Sequence, residues 1–162
     1  FCDMAKTGRA LDIACGNGRN SLYLAERGFD VDALDISEVG LKKAKRKHER
    51  IRAVCVDLDR YDIAANRYGL ILNIRFLNRR LFPYIKEGLV PGGVLIFESF
   101  MESSGGDRRD SDDWSPSCRD YVFRENELLH GFLSLKIRYY REKASREPKT
   151  PPSMASLVAV KV

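Results

Sequence analysis

The sequence predicts an α/β fold in which five parallel strands are followed by an antiparallel hairpin of two strands. Three observations indicate this fold. Short apolar runs alternate with helical patterns between residues 9 and 99, which is typical of a parallel sheet. A nearly continuous apolar run follows a Pro-Gly-Gly turn, as in a strand that is covered on both faces. Beyond residue 100, apolar and polar residues alternate in one segment, as in a half-exposed antiparallel strand.

The composition favours one globular domain spanning residues 1–162. The chain has 44% hydrophobic and 31% charged residues, and a domain of this size buries roughly 70% of its unfolded surface. No apolar run approaches the roughly 20 residues that span a bilayer, and the first residues lack the apolar stretch of a signal peptide. The four cysteines form no C-x-x-C pair, so no metal site is predicted. We expect a soluble, cytoplasmic protein.

The first elements form a strand, a helix and a second strand. Residues 10–14 are apolar enough for a short buried strand. Residues 21–27 can be helical, and Gly28 is a suitable C-terminal stop. The next strand is predicted at 29–35.

The second helix begins after a good N-cap residue, Ser37. Leu41 and Ala44 are predicted on its inner face. Strands follow at 51–57 and 69–74, and the polar stretch between them is too short for a full crossover helix.

The rest of the chain continues this pattern with one interruption. Pro83 should shorten or kink the helix in which it lies. The remaining predicted elements are a helix within 77–89, a strand at 91–100, a mobile polar loop at 102–118, a short helix at 124–130, and strands at 133–139 and 153–162.

Polar and small residues gather where the predicted parallel strands end. In an open α/β sheet these ends meet at one edge, where ligands bind. Glycines let a ligand approach the backbone, and a following helix N-terminus offers free N–H groups. The residues at these ends are Asp12, Ala14, Cys15, Gly16, Asn17 and Gly18 after the first strand, then Asp35, Asp57, Asn73 and Glu98.

The glycine pair does not complete the fingerprint of dinucleotide-binding proteins. Ser21 stands where the third glycine of G-x-G-x-x-G would lie. Asp12, just before the glycines, would repel a pyrophosphate but attract a cation. Together with Asp35 and Asp57, it suits a ligand that carries an ammonium, a sulfonium, a ribose diol and an adenine.

Four segments resemble motifs of the class I S-adenosylmethionine-dependent methyltransferases, in that family's order. They read LDIACGNGRNS, LDISE, CVDLD and LVPGGVLIFES. The residues GRNS, the segment YVFRENELL and the closing strand pair are similar to the bacterial tellurite-resistance-type small-molecule methyltransferases. The resemblance implies a Rossmann-like doubly wound sheet of order 3-2-1-4-5-7-6, S-adenosylmethionine as cofactor and a small-molecule methyl acceptor.

The resemblance also implies a role for each matching residue. Asp35 would accept hydrogen bonds from the ribose hydroxyls, and Ile36 would pack on the adenine face. Asp57 and Leu58 would meet the adenine edge, and Asn73 would lie beside the sulfonium. The residues implied at the methionine end are Asp12, Ala14, Gly16, Asn17, Gly18, Arg19 and Asn20.

The sequence departs from the family pattern in three places. Ala14 replaces the usual first glycine, and Gly69 stands where an aspartate commonly begins the fourth strand. About ten residues precede the first motif, whereas relatives usually have an N-terminal helical segment that helps to cover the site. We therefore expect the domain to lack this cover.

The predicted reaction is in-line transfer of the activated methyl group to a small acceptor. Because the leaving group is a neutral thioether, positioning and desolvation can suffice without a dedicated base. Glu98 and Arg75 are the catalytic candidates, although each suits an ordinary salt bridge equally well.

Three alternative functions remain open at this point. Residues 42–52 contain seven basic residues and one glutamate, in a chain of net charge +5, so this segment could serve a nucleic-acid methyltransferase. No aromatic residues interleave with these charges, which makes a nucleic-acid partner the less favoured reading. The others are an NAD-dependent oxidoreductase and a non-catalytic binding module.

Overall fold

The computed structural model describes residues 1–102, 120–143 and 153–162. Its sheet has seven strands in the order β3-β2-β1-β4-β5-β7-β6. A 3-10 turn at Cys2–Met4 precedes β1. The strands are β1 Arg9–Ile13, β2 Asp30–Asp35, β3 Ile51–Cys55, β4 Tyr68–Ile74, β5 Leu89–Phe100, β6 Lys136–Lys143 and β7 Met154–Val160, and the helices are α1 Arg19–Ala25, α2 Glu38–Lys45, α3 Leu81–Gly88 and α4 Glu127–Gly131.

The pairing of the strands confirms the predicted fold class and strand order. Strands β1 to β5 pair in parallel, and β7 runs antiparallel to both β5 and β6. The order in which successive strands are added to the sheet reverses between β1 and β4, because β2 and β3 lie on one side of β1 and β4 lies on the other. The carboxyl ends of β1 and β4 therefore flank the point where ligands bind in such sheets.

Two apolar cores pack against the two faces of the sheet. Leu11, Ile71 and Phe97 belong to the core that also contains α3 and α4 side chains. Leu24 and Val31 belong to the core that includes α1. Both faces of the central strands are thus buried, which agrees with their continuous apolar sequences.

The helices begin and end near their predicted bounds, with local differences. Helix α1 begins at Arg19, two residues early, because the Leu22 N–H already donates to the Gly18 carbonyl at 3.0 Å. Helix α2 has Ser37 as its N-cap, as predicted, with a 3.2 Å hydrogen bond from the Gly40 N–H to the serine Oγ. Both predicted inner residues of α2 are buried.

Helix α3 is shorter than the predicted segment 77–89. It begins at Leu81, so Pro83 lies in its first turn, where a missing N–H leaves no helical hydrogen bond unmade. Helix α4 likewise covers only the last part of 124–130 and extends to Gly131.

The predicted Pro-Gly-Gly turn lies inside β5. The β4–β5 register moves from Tyr68 opposite Leu89 to Leu70 opposite Val94, so the intervening residues bulge out. Gly92 adopts a φ of +77° within this bulge, which a glycine accommodates without steric cost.

The C-terminal hairpin forms as predicted, with shifted bounds. Strand β6 begins at Lys136 rather than at residue 133, because the chain first makes a turn in which the Leu135 N–H donates to the Phe132 carbonyl at 2.9 Å. The predicted loop at 102–118 lies outside the described residues apart from Glu102. Among the described residues, none of the helices is both long enough and apolar enough to cross a membrane.

Candidate functional site

A cavity of about 580 Å³ opens at the carboxyl edge of the parallel strands. Its volume is typical of sites for small molecules and cofactors. Five of the predicted cofactor residues line it, namely Ala14, Asp35, Ile36, Asp57 and Leu58. The other lining residues are Asp59, Phe76, Leu77, Asn78, Arg79, Arg80, Asp120 and Tyr121.

Asp35 lies at the end of β2 and is held by two backbone groups. Its Oδ2 accepts a hydrogen bond from the Gly16 N–H at 2.7 Å, and its Oδ1 accepts one from the Ser37 N–H at 2.8 Å. Each carboxylate oxygen has two lone pairs, so both oxygens keep capacity for a further donor. A fixed, half-buried carboxylate of this kind can accept hydrogen bonds from both hydroxyls of a ribose diol.

Glycines let the loop after β1 pack directly on α2. A Cβ atom at Gly18, whose φ is +72°, would lie 2.5 Å from the Ala44 Cβ. A Cβ atom at Gly40 would lie 2.7 Å from the Gly16 carbonyl oxygen. The family resemblance implies Gly18 as a ligand residue, and no sequence signal indicates a role for Gly40. The structure shows that both permit close packing of the loop and the helix.

Ala14 lines the cavity in a backbone conformation that favours glycine. Its φ is +52°, in the left-handed region that a Cβ atom disfavours. The family resemblance places a glycine here, and the φ value supplies the physical reason for that preference.

Asp12 is buried beneath the same loop, with 1% of its surface exposed. Its Oδ2 accepts a 2.5 Å hydrogen bond from the Ser21 hydroxyl of α1. Burial raises the pKa of Asp12 from 3.8 to about 6, although the hydrogen bonds with Ser21 oppose this change and the charge of Asp35 adds to it. A cation close to this buried carboxylate would favour its ionised form.

The environment of the neighbouring thiol, Cys15, favours its protonated form. Burial, together with the charges of Asp12 and Asp35, raises the pKa of Cys15 to about 12. The thiol therefore stays protonated at neutral pH, and only a thiolate would be reactive.

Asp57 and Leu58 form the β3 side of the cavity. Asp57 caps a turn, because its Oδ1 accepts a hydrogen bond from the Asp59 N–H at 3.0 Å. Its Oδ2 lies 3.8 Å from the Arg60 Nε. Leu58 is buried, whereas the nearby Ile36 is 69% exposed. An exposed isoleucine at a cavity can cover an aromatic ligand face.

Asn73 is buried at the end of β4, and its amide donates to the Phe76 carbonyl at 2.7 Å. This bond fixes the turn that leads to the cavity-lining residues Phe76 and Leu77. The predicted cofactor residues that do not line the cavity are Asp12, Gly16, Asn17, Gly18, Arg19, Asn20 and Asn73.

The two catalytic candidates meet through their backbones rather than their side chains. The Arg75 N–H donates to the Glu98 carbonyl at 2.7 Å. The Glu98 carboxylate accepts a 2.8 Å hydrogen bond from the Ser156 hydroxyl. Neither residue lines the cavity, so their catalytic role stays a prediction.

Sequence reasoning missed the segment Asn78, Arg79 and Arg80, which lines the cavity. Asn78 donates to Asp59 Oδ1 at 2.8 Å. Arg79 binds the chain near Tyr121 and Arg80 binds the loop after β3. The sequence offers only a weak signal for these roles, a polar triplet that begins four residues after the end of β4.

The residues present fit S-adenosylmethionine. The cavity has suitable volume, and its lining combines a fixed carboxylate at Asp35 with apolar surfaces at Ile36 and Leu58. Asp12 adds a buried negative charge beneath the loop. Taken in sheet order from β3 to β1, Leu58 suits an adenine, Asp35 a ribose and Asp12 the cationic amino acid end.

Comparison with known proteins gives consistent matches along the chain. The family model described as "Tellurite resistance protein TehB" matches residues 2–151. A relative from Haemophilus influenzae, named "Probable S-adenosyl-L-methionine-dependent methyltransferase TehB", is 31% identical over 88% of this chain and 51% of its own length. The chain thus spans about half the length of the curated relatives it matches.

Solved structures show the same architecture. The crystal structure of TehB from Haemophilus influenzae superposes with a TM-score of 0.80 at 25% identity, covering 99% of this chain and 60% of that one. A putative S-adenosylmethionine-dependent methyltransferase from Listeria monocytogenes superposes with a TM-score of 0.75 at 19% identity, covering 99% and 92%. The second likeness concerns the fold alone.

Proposed function

Because the chain belongs to the TehB family, we propose that it transfers the methyl group of S-adenosylmethionine to a small-molecule acceptor by in-line displacement. The match confirms the resemblance to class I methyltransferases of the tellurite-resistance type. It also agrees with S-adenosylmethionine as the cofactor, since the curated relative is named as dependent on it.

The observation that carries this proposal is the geometry of Asp35. Two backbone N–H groups hold its carboxylate at the cavity, at the end of β2. The family resemblance implies that the ribose of the cofactor binds at this strand end. The neighbouring Leu58 and Ile36 provide the apolar surfaces that an adenine needs.

The bound cofactor would supply an electrophilic methyl group to a lone pair of the acceptor, with a neutral thioether as the leaving group. The chain's part is to bind and orient. Asp12 would face the amino acid end of the cofactor, and Asp35 would hold its ribose. Phe76 and Leu77 would exclude water near the acceptor, which raises the reactivity of a nucleophile. No proton acceptor is required unless the acceptor itself carries a proton.

Tellurite is a sensible first acceptor to test, since the family's description contains that oxyanion. A thiol and iodide are further nucleophiles with an available lone pair. A nucleic acid is the alternative, because the basic residues of α2 are exposed, Lys42 by 73% of its side chain.

The first test measures ligand binding by thermal shift. S-adenosylhomocysteine at a hundred times its dissociation constant should add about 2.7 kcal/mol of stability, or on the order of 5 to 10 °C. The variant Asp35→Ala should lose this shift, because the contacts to the ribose are lost together with the hydrogen bonds from the Gly16 and Ser37 N–H groups. Its circular dichroism spectrum should match that of the wild type. Asp30→Asn, at the exposed start of the same strand, is the matched control.

The second test measures S-adenosylhomocysteine formation with tellurite, 2-mercaptoethanol, iodide and single-stranded RNA. Turnover of one of the first three supports the proposal. Methylation of RNA alone, at a rate that falls steeply with salt, would indicate that the protein is a nucleic-acid methyltransferase. A thermal shift with NAD instead would indicate an oxidoreductase, and binding without any turnover would indicate a binding module.

A further inference from the structure

Tyr121 is a large aromatic residue that lines the cavity and is nonetheless 64% exposed. Its neighbours in the sequence, Val122 and Phe123, are buried. An exposed aromatic ring at a cavity offers a flat apolar surface and a hydroxyl to a ligand. The family resemblance assigns none of the cofactor groups to Tyr121. Its ring shares the cavity with Phe76 and Leu77, which the proposed function places near the methyl acceptor.

Arg79 holds the backbone on both sides of Tyr121. Its Nη1 donates to the Asp120 carbonyl at 2.7 Å, and its Nη2 donates to the Val122 carbonyl at 2.9 Å. The same guanidinium binds both carboxylate oxygens of Glu127 in α4, with Nε to Oε1 at 2.5 Å and Nη2 to Oε2 at 3.0 Å. This planar group thus donates two hydrogen bonds to the backbone beside Tyr121 and two to Glu127, and together they fix the position of Tyr121 at the cavity.

The opposite charges of Arg79 and Glu127 stabilise the position of the Arg79 guanidinium. The hydrogen bonds from Arg79 lower the pKa of Glu127, although its partial burial opposes this, and the Arg124 N–H adds a further bond at 2.9 Å. Glu127 therefore stays ionised at neutral pH, and the ion pair persists. Both side chains are partly buried, with 39% of Arg79 and 25% of Glu127 exposed.

The two residues beside Arg79 bind the loop that follows β3. Asn78 donates to Asp59 Oδ1 at 2.8 Å. Arg80 donates to the Tyr61 carbonyl at 3.0 Å and forms an ion pair with Asp62. One short segment thus fixes the position of Tyr121 relative to the loop that carries Asp57.

We propose that Tyr121 is a specificity-determining residue that contacts the methyl acceptor, and that Arg79 is the positioning residue that holds it there. This inference rests on the proposed function. The ring covers the acceptor and excludes water from it, whereas Arg79 acts only through the backbone around Tyr121. Arginine is required because its planar fork reaches several acceptors at once, which a lysine cannot do.

The test compares Tyr121→Ala, Tyr121→Phe and Arg79→Lys with the wild-type protein. Tyr23→Ala is the matched control, since Tyr23 is 46% exposed and does not line the cavity. For each variant, calorimetry gives the dissociation constant of S-adenosylhomocysteine. Steady-state kinetics gives kcat and KM for whichever of tellurite, 2-mercaptoethanol and iodide the wild-type protein turns over fastest.

Tyr121→Ala should keep S-adenosylhomocysteine affinity within about twofold and lower kcat/KM for the acceptor by about tenfold or more, mainly through KM. Tyr121→Phe should retain most of the activity, because the ring remains. Arg79→Lys should resemble Tyr121→Ala although it keeps the charge. Tyr23→Ala should match the wild type.

Three outcomes would overturn the inference. They are an unchanged kcat/KM in Tyr121→Ala, a full rescue by lysine at position 79, and a loss of S-adenosylhomocysteine affinity equal to the loss of kcat/KM. If the wild-type protein binds S-adenosylhomocysteine but turns over none of the three acceptors, the proposed function fails and this inference fails with it. That result differs from a wild-type protein that is active and whose Tyr121→Ala variant is equally active.

Discussion

Ala14 carries a backbone strain that a single substitution can remove. Its φ of +52° costs an L-residue roughly 1 to 2 kcal/mol relative to glycine, and the greater flexibility of glycine in the unfolded chain offsets part of that. We expect Ala14→Gly to stabilise the protein by about 0.5 to 1 kcal/mol and to leave S-adenosylmethionine affinity equal or higher, because it removes a methyl group from the cavity lining. Urea denaturation and calorimetry measure the two effects.

Gly16→Ala is the reciprocal control. Gly16 has a φ of +54°, and a Cβ atom there would meet nothing within 4 Å. This variant therefore adds strain without a steric clash, and it should destabilise the protein by about 1 kcal/mol. A destabilising Ala14→Gly would show that the loop gains more from the alanine methyl group than its backbone loses.

The hydrogen bond between Asp12 and Ser21 joins strand β1 to helix α1 and makes their contact depend on pH. Burial raises the pKa of Asp12 to about 6, so the folded state binds a proton that the unfolded state has released. The contribution of Asp12 to stability is therefore greatest below about pH 4 and declines as pH rises to about 6, by on the order of 2 to 3 kcal/mol. Asp12→Asn should remove this decline.

Urea denaturation of both proteins between pH 4 and pH 7 measures the effect. The stability of Asp12→Asn relative to the wild type should increase over this range and then remain constant. A difference that does not vary with pH would contradict the assignment. If Asp12 also meets the cationic end of the cofactor, the affinity of the wild type for S-adenosylmethionine should increase with pH over the same range, and Asp12→Asn should lack this increase.

The elements of this fold were largely predictable because their signals are local. The apolar runs gave the strands, Ser37 gave the start of α2, and the strand ends gave Asp35 and Asp57. The bounds of α3 and β5 were less accurate. The residues around Pro83 do not specify whether it lies in the first turn of a helix or interrupts one, and whether Gly92 forms a turn or a bulge depends on the pairing of β5 with β4.

The second side of the cavity could not be predicted for the same reason. Arg79 and Glu127 lie 48 residues apart, and nothing in either segment specifies the other. The same holds for Gly40. A glycine is required there only because α2 packs against the Gly16 carbonyl, where a side chain would clash. Sequence reasoning finds residues that one strand end presents and misses those that two distant segments define together.

At the scale of the whole molecule, Asp32 joins the sheet at the edge opposite the cavity. Only 3% of its side chain is exposed. Its Oδ1 accepts from the Arg52 Nε of β3 at 2.8 Å, and its Oδ2 accepts from the Tyr68 hydroxyl of β4 at 3.0 Å. Arg9 of β1 and Arg67 each approach Oδ2 at 3.5 Å. One carboxylate on β2 thus connects to three other strands.

Removing this charge should destabilise the whole fold. Burial alone would raise the pKa of Asp32, but the hydrogen bonds from Arg52 and Tyr68 outweigh it and lower the pKa below its usual value. Asp32→Asn should cost about 1.5 to 3 kcal/mol at pH 7, the usual effect of losing hydrogen bonds to a charged group. Arg52→Ala should cost about 1 kcal/mol or less, since its side chain is 60% exposed and other cations remain.

Urea denaturation at pH 7 and at decreasing pH measures both the size and the sign of this effect. Because the folded-state pKa is lowered, the stabilisation by Asp32 is complete above the usual carboxyl pKa of about 4 and is lost as pH falls through the folded value. The gap between the wild type and Asp32→Asn should therefore narrow in acid. Asp30→Asn, which removes an exposed partner of Arg50 on the same strand, should cost less than about 1 kcal/mol. An equal loss of unfolding free energy in Asp32→Asn and Asp30→Asn would contradict this prediction. It would show that removing any charge from β2 destabilises the protein, whatever the burial of the residue and the number of its partners.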